Sequence, residues 1–389
     1  MSMRPLKCEM CGSSDVVKQA DGFYECQHCK TKYSIEAARQ IMFGNVLTID
    51  LADRVEDYLS LASQAMNDGF YAEAEQYYNR VVEIYPDNIE AWAMKGLAVG
   101  LQSNMLNNRL SEAALSFYRA IEYADLDQKE LVLQTCLEHM KTLSTQVISA
   151  YGQQFGENTD ALSYDSFSKL VDYMIGVYQG LENRLQKKLV DLHVATCHEV
   201  QRAVKEAWQT AIKPTYLERR KLAFRDSLAI NRVYLEYVVK VDYCVGLLEK
   251  VLLLVGDNLE TSLEINELLL HLHESAEMEA PVGSSLYSRL IPQLFEKDDS
   301  QRRRSEISLY QKEVKRLKSL LVLESLANDA YAYHEFEEVV KQREQVLEDI
   351  SNTSMLNVNR KDKLETERLR LDILIDQAFR NRPKQGVAV

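Results

Sequence analysis

Apolar and small residues recur at helical intervals through residues 55–88. Asp68-Gly69 supplies a turn near the middle of this stretch, and Pro86 ends it because proline cannot continue a helix. The pattern predicts two antiparallel helices that approach most closely at the small residues Ala62 and Ala74. The surrounding packing positions are Tyr58, Leu61, Tyr71, Tyr78 and Val81.

A second pair of helices is predicted directly after the first. Trp92 and Gly96 lie on its first helix, and Ala113, Phe117 and Ala120 follow on its second helix at intervals of four and three residues. The loop inside this pair is about five residues longer than the loop inside the first pair.

These two units resemble tetratricopeptide repeats in their spacing of small and aromatic residues. The resemblance implies a concave groove that takes up a peptide or a helix, and protein–protein assembly is the usual role of that family. Residues 326–350 match the same spacing more weakly, with Arg343 where an aromatic residue is usual. A plain amphipathic helix is the alternative for that segment.

Helical patterns continue through the rest of the chain. Asp127 and Glu130 are spaced as a capping box and predict a long helix that ends near Tyr151. An exposed linker is predicted at "KDDSQRRR", residues 297–304. Further helices are predicted at 163–187, 188–212 and 216–255, with a break at Pro214. A heptad-like apolar seam follows at Ile307, Tyr310, Val314, Leu317 and Leu321.

Glycine and proline are scarce, with 14 and 6 residues among 389. Average proteins contain roughly 7% glycine and 5% proline, and the turns of sheets depend on both residues. The composition therefore predicts a mainly α fold. The opening stretch of the chain predicts a small N-terminal β segment in front of the helices.

That β segment contains four of the seven cysteines, arranged as two Cys-x-x-Cys pairs. Two residues between thiolates suit a tight turn, and two such turns can converge on one metal ion. The predicted ligands are Cys8, Cys11, Cys26 and Cys29. A closed set of soft thiolates favours one structural Zn²⁺, although the ligand set alone leaves iron open. The alternative is a redox dithiol, which requires a thioredoxin-like βαβ context that the sequence lacks.

The residues between the cysteine pairs predict a β-hairpin that reverses at Asp21-Gly22, and a third strand is predicted at 32–35. So small a segment buries little apolar area, so metal binding is expected to supply its folding energy. With Gly12 after the first pair, the stretch resembles zinc ribbons of the transcription-factor-IIB type. Residues 6–46 together resemble bacterial proteins that place such a ribbon before helical repeats. The resemblance implies zinc but no single role, because ribbons bind nucleic acid, bind proteins or cap a fold.

These patterns divide the chain into six predicted segments. They are a zinc ribbon at 1–35, a helical linker at 36–52, the pair of repeats at 53–126, a helical domain at 127–300, C-terminal helices with a degenerate repeat-like hairpin at 301–381, and a disordered tail at 382–389.

No sequence motif of a phosphate loop, a dinucleotide fold, a zinc protease or a serine hydrolase is present. His193 and Cys197 are four residues apart and would share a helix face, which a metal or nucleophile pair could use. Ordinary packing is the favoured alternative for that pair. We therefore expect no catalytic residues and no enzymatic activity.

The net charge of −13 is concentrated in part of the chain. Residues 51–130 contain fourteen acidic against six basic residues, which disfavours nucleic acid as a partner of the helices. With no apolar leader and no long apolar run, a cytoplasmic protein without membrane contact is expected.

The sequence predicts a non-enzymatic adaptor with a structural zinc ribbon at its start. Its expected partner is a protein that carries a basic segment. The alternative is a regulator that contacts DNA or RNA through the ribbon, where several lysines are available. They are Lys7, Lys18, Lys30 and Lys32, with Phe23, Tyr24 and Tyr33 for stacking.

Overall fold

A computed structural model describes residues 7–8, 10–19, 23–33, 46–223, 226–255, 258–281, 299–353 and 357–382. In these ranges the chain is mainly α-helical, with one small antiparallel sheet near its start, as the sequence predicted. The predicted turn at Asp21-Gly22, most of the linker at 36–52 and the tail beyond residue 382 lie outside the described residues.

The sheet has three short strands in the order β1-β2-β3. Val16 of β1 lies opposite Cys26 of β2, and Tyr24 of β2 lies opposite Tyr33 of β3. The strands are β1 Val16–Lys18, β2 Tyr24–Cys26 and β3 Lys32–Tyr33. Cys8, Cys26 and Tyr33 are buried together as the core of this ribbon, so the core contains two of the predicted ligands.

The helices belong to two compact units, Met1–Met140 and Lys141–Val389. Among the described helices, none is long and apolar enough to cross a bilayer. The first helices are α1 Val46–Asn67, α2 Tyr71–Ile84, α3 Ile89–Leu101, α4 Leu110–Tyr123 and α5 Lys129–Glu157. They are followed by α6 Ala161–Leu185, α7 Val190–Ala207, α8 Lys213–Leu222, α9 Ser227–Val255, α10 Leu259–Met278, α11 Asp299–Ser325, α12 Ala330–Asn352 and α13 Val358–Asn381.

Helices α1 to α4 form two successive hairpins packed through small residues. Ala62 and Ala74 are fully buried in the first hairpin. A Cβ added to Gly96 in the second would lie 2.6 Å from the ring of Phe117, so only glycine permits this approach. The prediction for Leu61 was wrong, since its side chain is 42% exposed. Successive helical residues differ by about 100° around the axis, and the adjacent Ala62 takes the inward position.

The longer loop of the second hairpin, residues 102–109, is fastened to α2. Arg109 donates from Nη1 and Nη2 to the two carboxylate oxygens of Glu75, at 2.7 and 3.0 Å. Gln102 Nε2 donates to the same carboxylate at 2.8 Å. The hydrogen bonds from Arg109 hold the pKa of Glu75 below its ordinary value. The extra residues therefore tie the second hairpin to the first.

Pro214 does not end a helix, contrary to the prediction. Helix α7 continues through a π-helical turn, Trp208–Ile212, directly into α8. The amide of Lys213 donates to the carbonyl of Trp208, five residues earlier. Proline lacks an amide donor and its ring crowds the carbonyl four residues before it, and the wider π turn accommodates both effects. The helix ends instead after Leu222.

The predicted exposed linker was also wrong, because residues from Asp299 onward belong to α11. Arg303 is only 1% exposed. Its Nη2 donates to Asp242 Oδ1 at 3.1 Å, and its Nη1 lies 3.3 Å from His273 Nδ1. A run of three arginines predicts exposure to solvent when the partners of its side chains are unknown. Here the partners of Arg303 come from α9 and α10. The seam that follows is buried as predicted at Tyr310, Val314, Leu317 and Leu321.

Candidate metal centre

The structure brings the four cysteines of the ribbon together. Their sulfur atoms all lie within 4.8 Å of one another. Cys8 Sγ is 3.3 Å from Cys29 Sγ, and Cys11 Sγ is 3.6 Å from Cys26 Sγ. A disulfide would need about 2.05 Å. Four sulfurs bonded at about 2.3 Å to one tetrahedral metal ion would be roughly 3.8 Å apart, so this cluster is close to the size that a metal requires.

Each Cys-x-x-Cys pair is held by the same two backbone hydrogen bonds. In the first turn, the amide of Cys8 donates to the carbonyl of Ser13 at 2.7 Å, and the amide of Gly12 donates to the carbonyl of Cys8 at 2.7 Å. In the second, Cys26 donates to Thr31 at 2.9 Å and Lys30 donates to Cys26 at 2.8 Å. The two halves of the site are therefore built alike, with the sulfurs facing each other across it.

Both turns require a left-handed residue directly after their second cysteine. Gly12 has φ 72° and Lys30 has φ 62°. Glycine adopts this region without steric cost, whereas a residue with a Cβ does so at roughly 1–2 kcal/mol. Gly12 was singled out from the sequence, but Lys30 was not. Lys30 occupies the same position after its own cysteine pair, and this equivalence was the signal that could have revealed the second left-handed residue.

Opposite substitutions at these two positions are expected to have opposite effects. Gly12→Ala should destabilise the ribbon by about 1 kcal/mol, and Lys30→Gly should stabilise it by a similar amount. Hydrogen exchange at the ribbon amides of the zinc-loaded chain measures both changes. Shifts of the same sign in the two variants would contradict the equivalence of the turns.

The four sulfurs have different surroundings. Cys8 and Cys26 are buried, while Cys11 and Cys29 are exposed. The hydroxyl of Tyr33 lies 3.1 Å from Cys8 Sγ, and the hydroxyl of Thr31 lies 3.1 Å from Cys29 Sγ. Each turn thus contributes one inner and one outer sulfur, and one sulfur of each turn has a neighbouring hydroxyl.

These contacts shift the thiol pKa values in opposite directions. The Tyr33 hydroxyl lowers the pKa of Cys8 from an ordinary 9.0 to about 6, and the Thr31 hydroxyl and amide lower the pKa of Cys29. The Ser13 amide favours the thiolate of Cys11, but desolvation and the neighbouring thiols outweigh it and raise its pKa to about 12. The metal-free cluster therefore retains protons that a bound cation would displace.

The donor set fits a thiophilic metal ion. Four cysteine sulfurs without an oxygen or nitrogen ligand suit Zn²⁺, and iron is the other ion that such a set can hold. His28 is exposed, within the second turn. A metal bound here would supply folding energy to a ribbon whose buried core contains three of the described residues.

The other candidate pair, His193 and Cys197, contacts separate partners. His193 Nε2 lies 3.4 Å from Glu182 Oε1. Cys197 Sγ donates to the carbonyl of Val251 at 3.3 Å. Burial raises the pKa of Cys197 to about 12, which leaves a poor nucleophile. Both side chains pack inside the helical unit, and this favours the packing interpretation.

No protein-family model matches the sequence, and a search of curated proteins finds no significant relative.

Proposed function

We propose that this protein is a non-enzymatic adaptor that carries a structural zinc ribbon and binds a protein partner through tetratricopeptide-like repeats. The partner presents a basic segment, and Zn²⁺ at the four cysteines keeps the ribbon folded. The pair of equivalent helical hairpins, α1–α2 and α3–α4, is the observation that carries the proposal.

The equivalence of the hairpins is visible residue by residue. Tyr58 and Ala62 correspond to Trp92 and Gly96 on the first helix of each hairpin. On the second helices, the corresponding residues are buried in both hairpins. They are Ala74, Tyr78 and Val81 in α2, and Ala113, Phe117 and Ala120 in α4. Stacked units of this kind present an extended surface to a partner.

The charge of α1–α4 and the loops beside them supports a basic partner. Three of the arginines in α1–α4 and their loops already pair with glutamates of the same region, as Arg80 does with Glu83. Seven acidic residues are exposed and have no ion pair among the described residues. They are Glu56, Asp57, Asp68, Asp87, Glu90, Asp125 and Asp127. Their uncompensated charge would attract lysine and arginine side chains.

The ribbon offers less support for contact with nucleic acid. Lys30 and Lys32 lie 3.7 and 3.9 Å from the carboxylate of Glu25, which offsets their charge. Tyr33 is buried against Cys8 and so cannot stack on a base. We therefore place partner binding on the helices and give the ribbon a structural role.

Affinity capture with the full-length, zinc-loaded chain tests this proposal. Lysate from the source cell is treated with nuclease, and captured proteins are identified at low and high salt. We expect a stoichiometric protein that survives nuclease and is released by salt. A variant with Glu56→Gln, Asp57→Asn, Asp87→Asn and Glu90→Gln should capture at least tenfold less of it.

The matched control neutralises four exposed acidic residues elsewhere, with Glu324→Gln on α11 and with Glu335→Gln, Glu344→Gln and Glu348→Gln on α12. It should capture as much partner as the unaltered chain. Capture that disappears with nuclease would instead favour a nucleic-acid function. Equal loss in both variants would show that the acidic surface of α1–α4 is not the binding surface.

A further inference from the structure

Tyr33 brings a polar group to Cys8, one of the two enclosed sulfurs of the ribbon. Its side chain is 8% exposed, and Cys8 is 1% exposed. The phenol oxygen lies 3.1 Å from Cys8 Sγ. A hydroxyl in such an interior is costly unless it donates a hydrogen bond, and the sulfur is placed to accept one.

The chemistry of a four-cysteine site explains why this donor matters. Four thiolates around a divalent cation leave a net charge of about −2, and hydrogen bonds to the ligands offset that charge. Water can reach Cys11 and Cys29, which are exposed. It cannot solvate Cys8 in the same way, so that sulfur depends on donors supplied by the protein.

The strand register shows how the fold delivers the hydroxyl. Tyr33 lies opposite Tyr24, and Val16 lies opposite Cys26. Tyr24 and Cys26 are two residues apart on β2 and so point to the same face of the sheet. The ring of Tyr33 therefore packs in the ribbon core while its hydroxyl reaches the metal-binding end.

We propose that Tyr33 is a positioning residue of the metal site. Its hydroxyl donates to the thiolate of Cys8, fixes that sulfur in the orientation needed for coordination and offsets its charge, which strengthens binding of a thiophilic dication such as Zn²⁺. This role rests on the proposed zinc site and goes beyond it by assigning a residue outside the four cysteines.

Two single-oxygen deletions test the role of Tyr33. Tyr33→Phe retains the ring and removes the hydroxyl. Tyr24→Phe is the matched control, because Tyr24 packs against the same core and forms no hydrogen bond to a sulfur in the described ribbon. Full-length chains are stripped of metal and titrated with Zn²⁺ against a chelating indicator at one fixed pH. They are also titrated with Co²⁺, whose thiolate charge-transfer absorption responds to hydrogen bonding at sulfur.

We expect Tyr33→Phe to weaken Zn²⁺ binding about 10- to 100-fold, the range found when an outer hydrogen-bond partner of a ligand is removed. Its Co²⁺ charge-transfer band should move to lower energy, because the thiolate becomes a stronger electron donor. Tyr24→Phe should match the unaltered chain in both measurements.

The possible failures are distinguishable. An unaltered chain that binds no stoichiometric Zn²⁺ overturns the zinc site itself, and the role of Tyr33 with it. Unaltered binding together with unchanged affinity and spectrum in Tyr33→Phe overturns the role of Tyr33 alone. Equal weakening in Tyr33→Phe and Tyr24→Phe overturns it as well, because the loss then comes from ring packing.

Discussion

A variant with Cys26→Ser and Cys29→Ser is expected to lose its metal ion and the fold of its ribbon. These residues supply two of the four sulfurs, and Cys26 is also one of three described residues that form the buried core of the ribbon. Zinc binding contributes about 10–16 kcal/mol to the folding of small zinc modules, far more than three buried side chains can supply. Metal analysis and the amide NMR signals of residues 7–33 measure the loss. Chelation of the unaltered chain should reproduce it.

The helices should survive this change. Among the described residues, the buried cluster of α1–α3 consists of helical residues, and the ribbon core consists of ribbon residues. Helical circular dichroism should therefore be nearly unchanged. The control removes two thiols elsewhere, with Cys136→Ala and Cys244→Ala, and should retain one metal ion per chain. Dispersed ribbon signals in the metal-free variant would show that the ribbon folds without metal.

The cysteine cluster could be anticipated because its geometry is local. Two residues between cysteines define a turn, and two turns joined by a hairpin leave few ways for the sulfurs to lie. The left-handed conformation of Lys30 follows from the same turn, yet a lysine gives no sign of it. Sequence patterns predict the ligands of such a site more readily than the left-handed backbone of the turns that position those ligands.

The contribution of Tyr33 was harder to anticipate. An aromatic residue in a small ribbon suggests either its core or a surface for stacking, and neither interpretation involves the hydroxyl. The spacing of Tyr24 and Cys26, two positions apart, was the available signal, because alternation along β2 places them on one face. The position of Tyr33 beside these residues depends on how β3 pairs with β2, which the spacing along β2 does not specify.

The helical body shows a similar limit. Small residues at Ala62, Ala74 and Gly96 marked the close approaches within the hairpins, because few other residues fit there. Arg303 and Pro214 were misinterpreted for the opposite reason. The buried Arg303 depends on partners such as Asp242. The helix around Pro214 depends on a π turn. Residue type alone specifies neither.

Lowering the pH from 7 to 4 is expected to cost the second unit about 3 kcal/mol through His273 alone. This side chain is 1% exposed, and burial followed by the charges of Arg303 and Arg302 lowers its pKa from 6.5 to about 4. The unfolded chain thus takes up the proton at a higher pH than the folded chain does. The stabilising contribution is complete above pH 6.5 and is lost as the pH falls toward 4.

Glu306 acts in the opposite direction and must be separated from His273. Its Oε2 lies 3.3 Å from His273 Nδ1, and burial raises its pKa, so the folded unit gains stability as this carboxyl takes up a proton. His273→Asn isolates the histidine, because the amide oxygen can accept from Arg303 near the position of Nδ1 without titrating. Urea unfolding at pH 7 and pH 4 should show about 3 kcal/mol more loss in the unaltered chain than in this variant. The same pH dependence in both proteins would contradict this prediction. His273 would then be protonated as readily in the folded unit as in the unfolded chain, and its burial against Arg303 would have no energetic consequence.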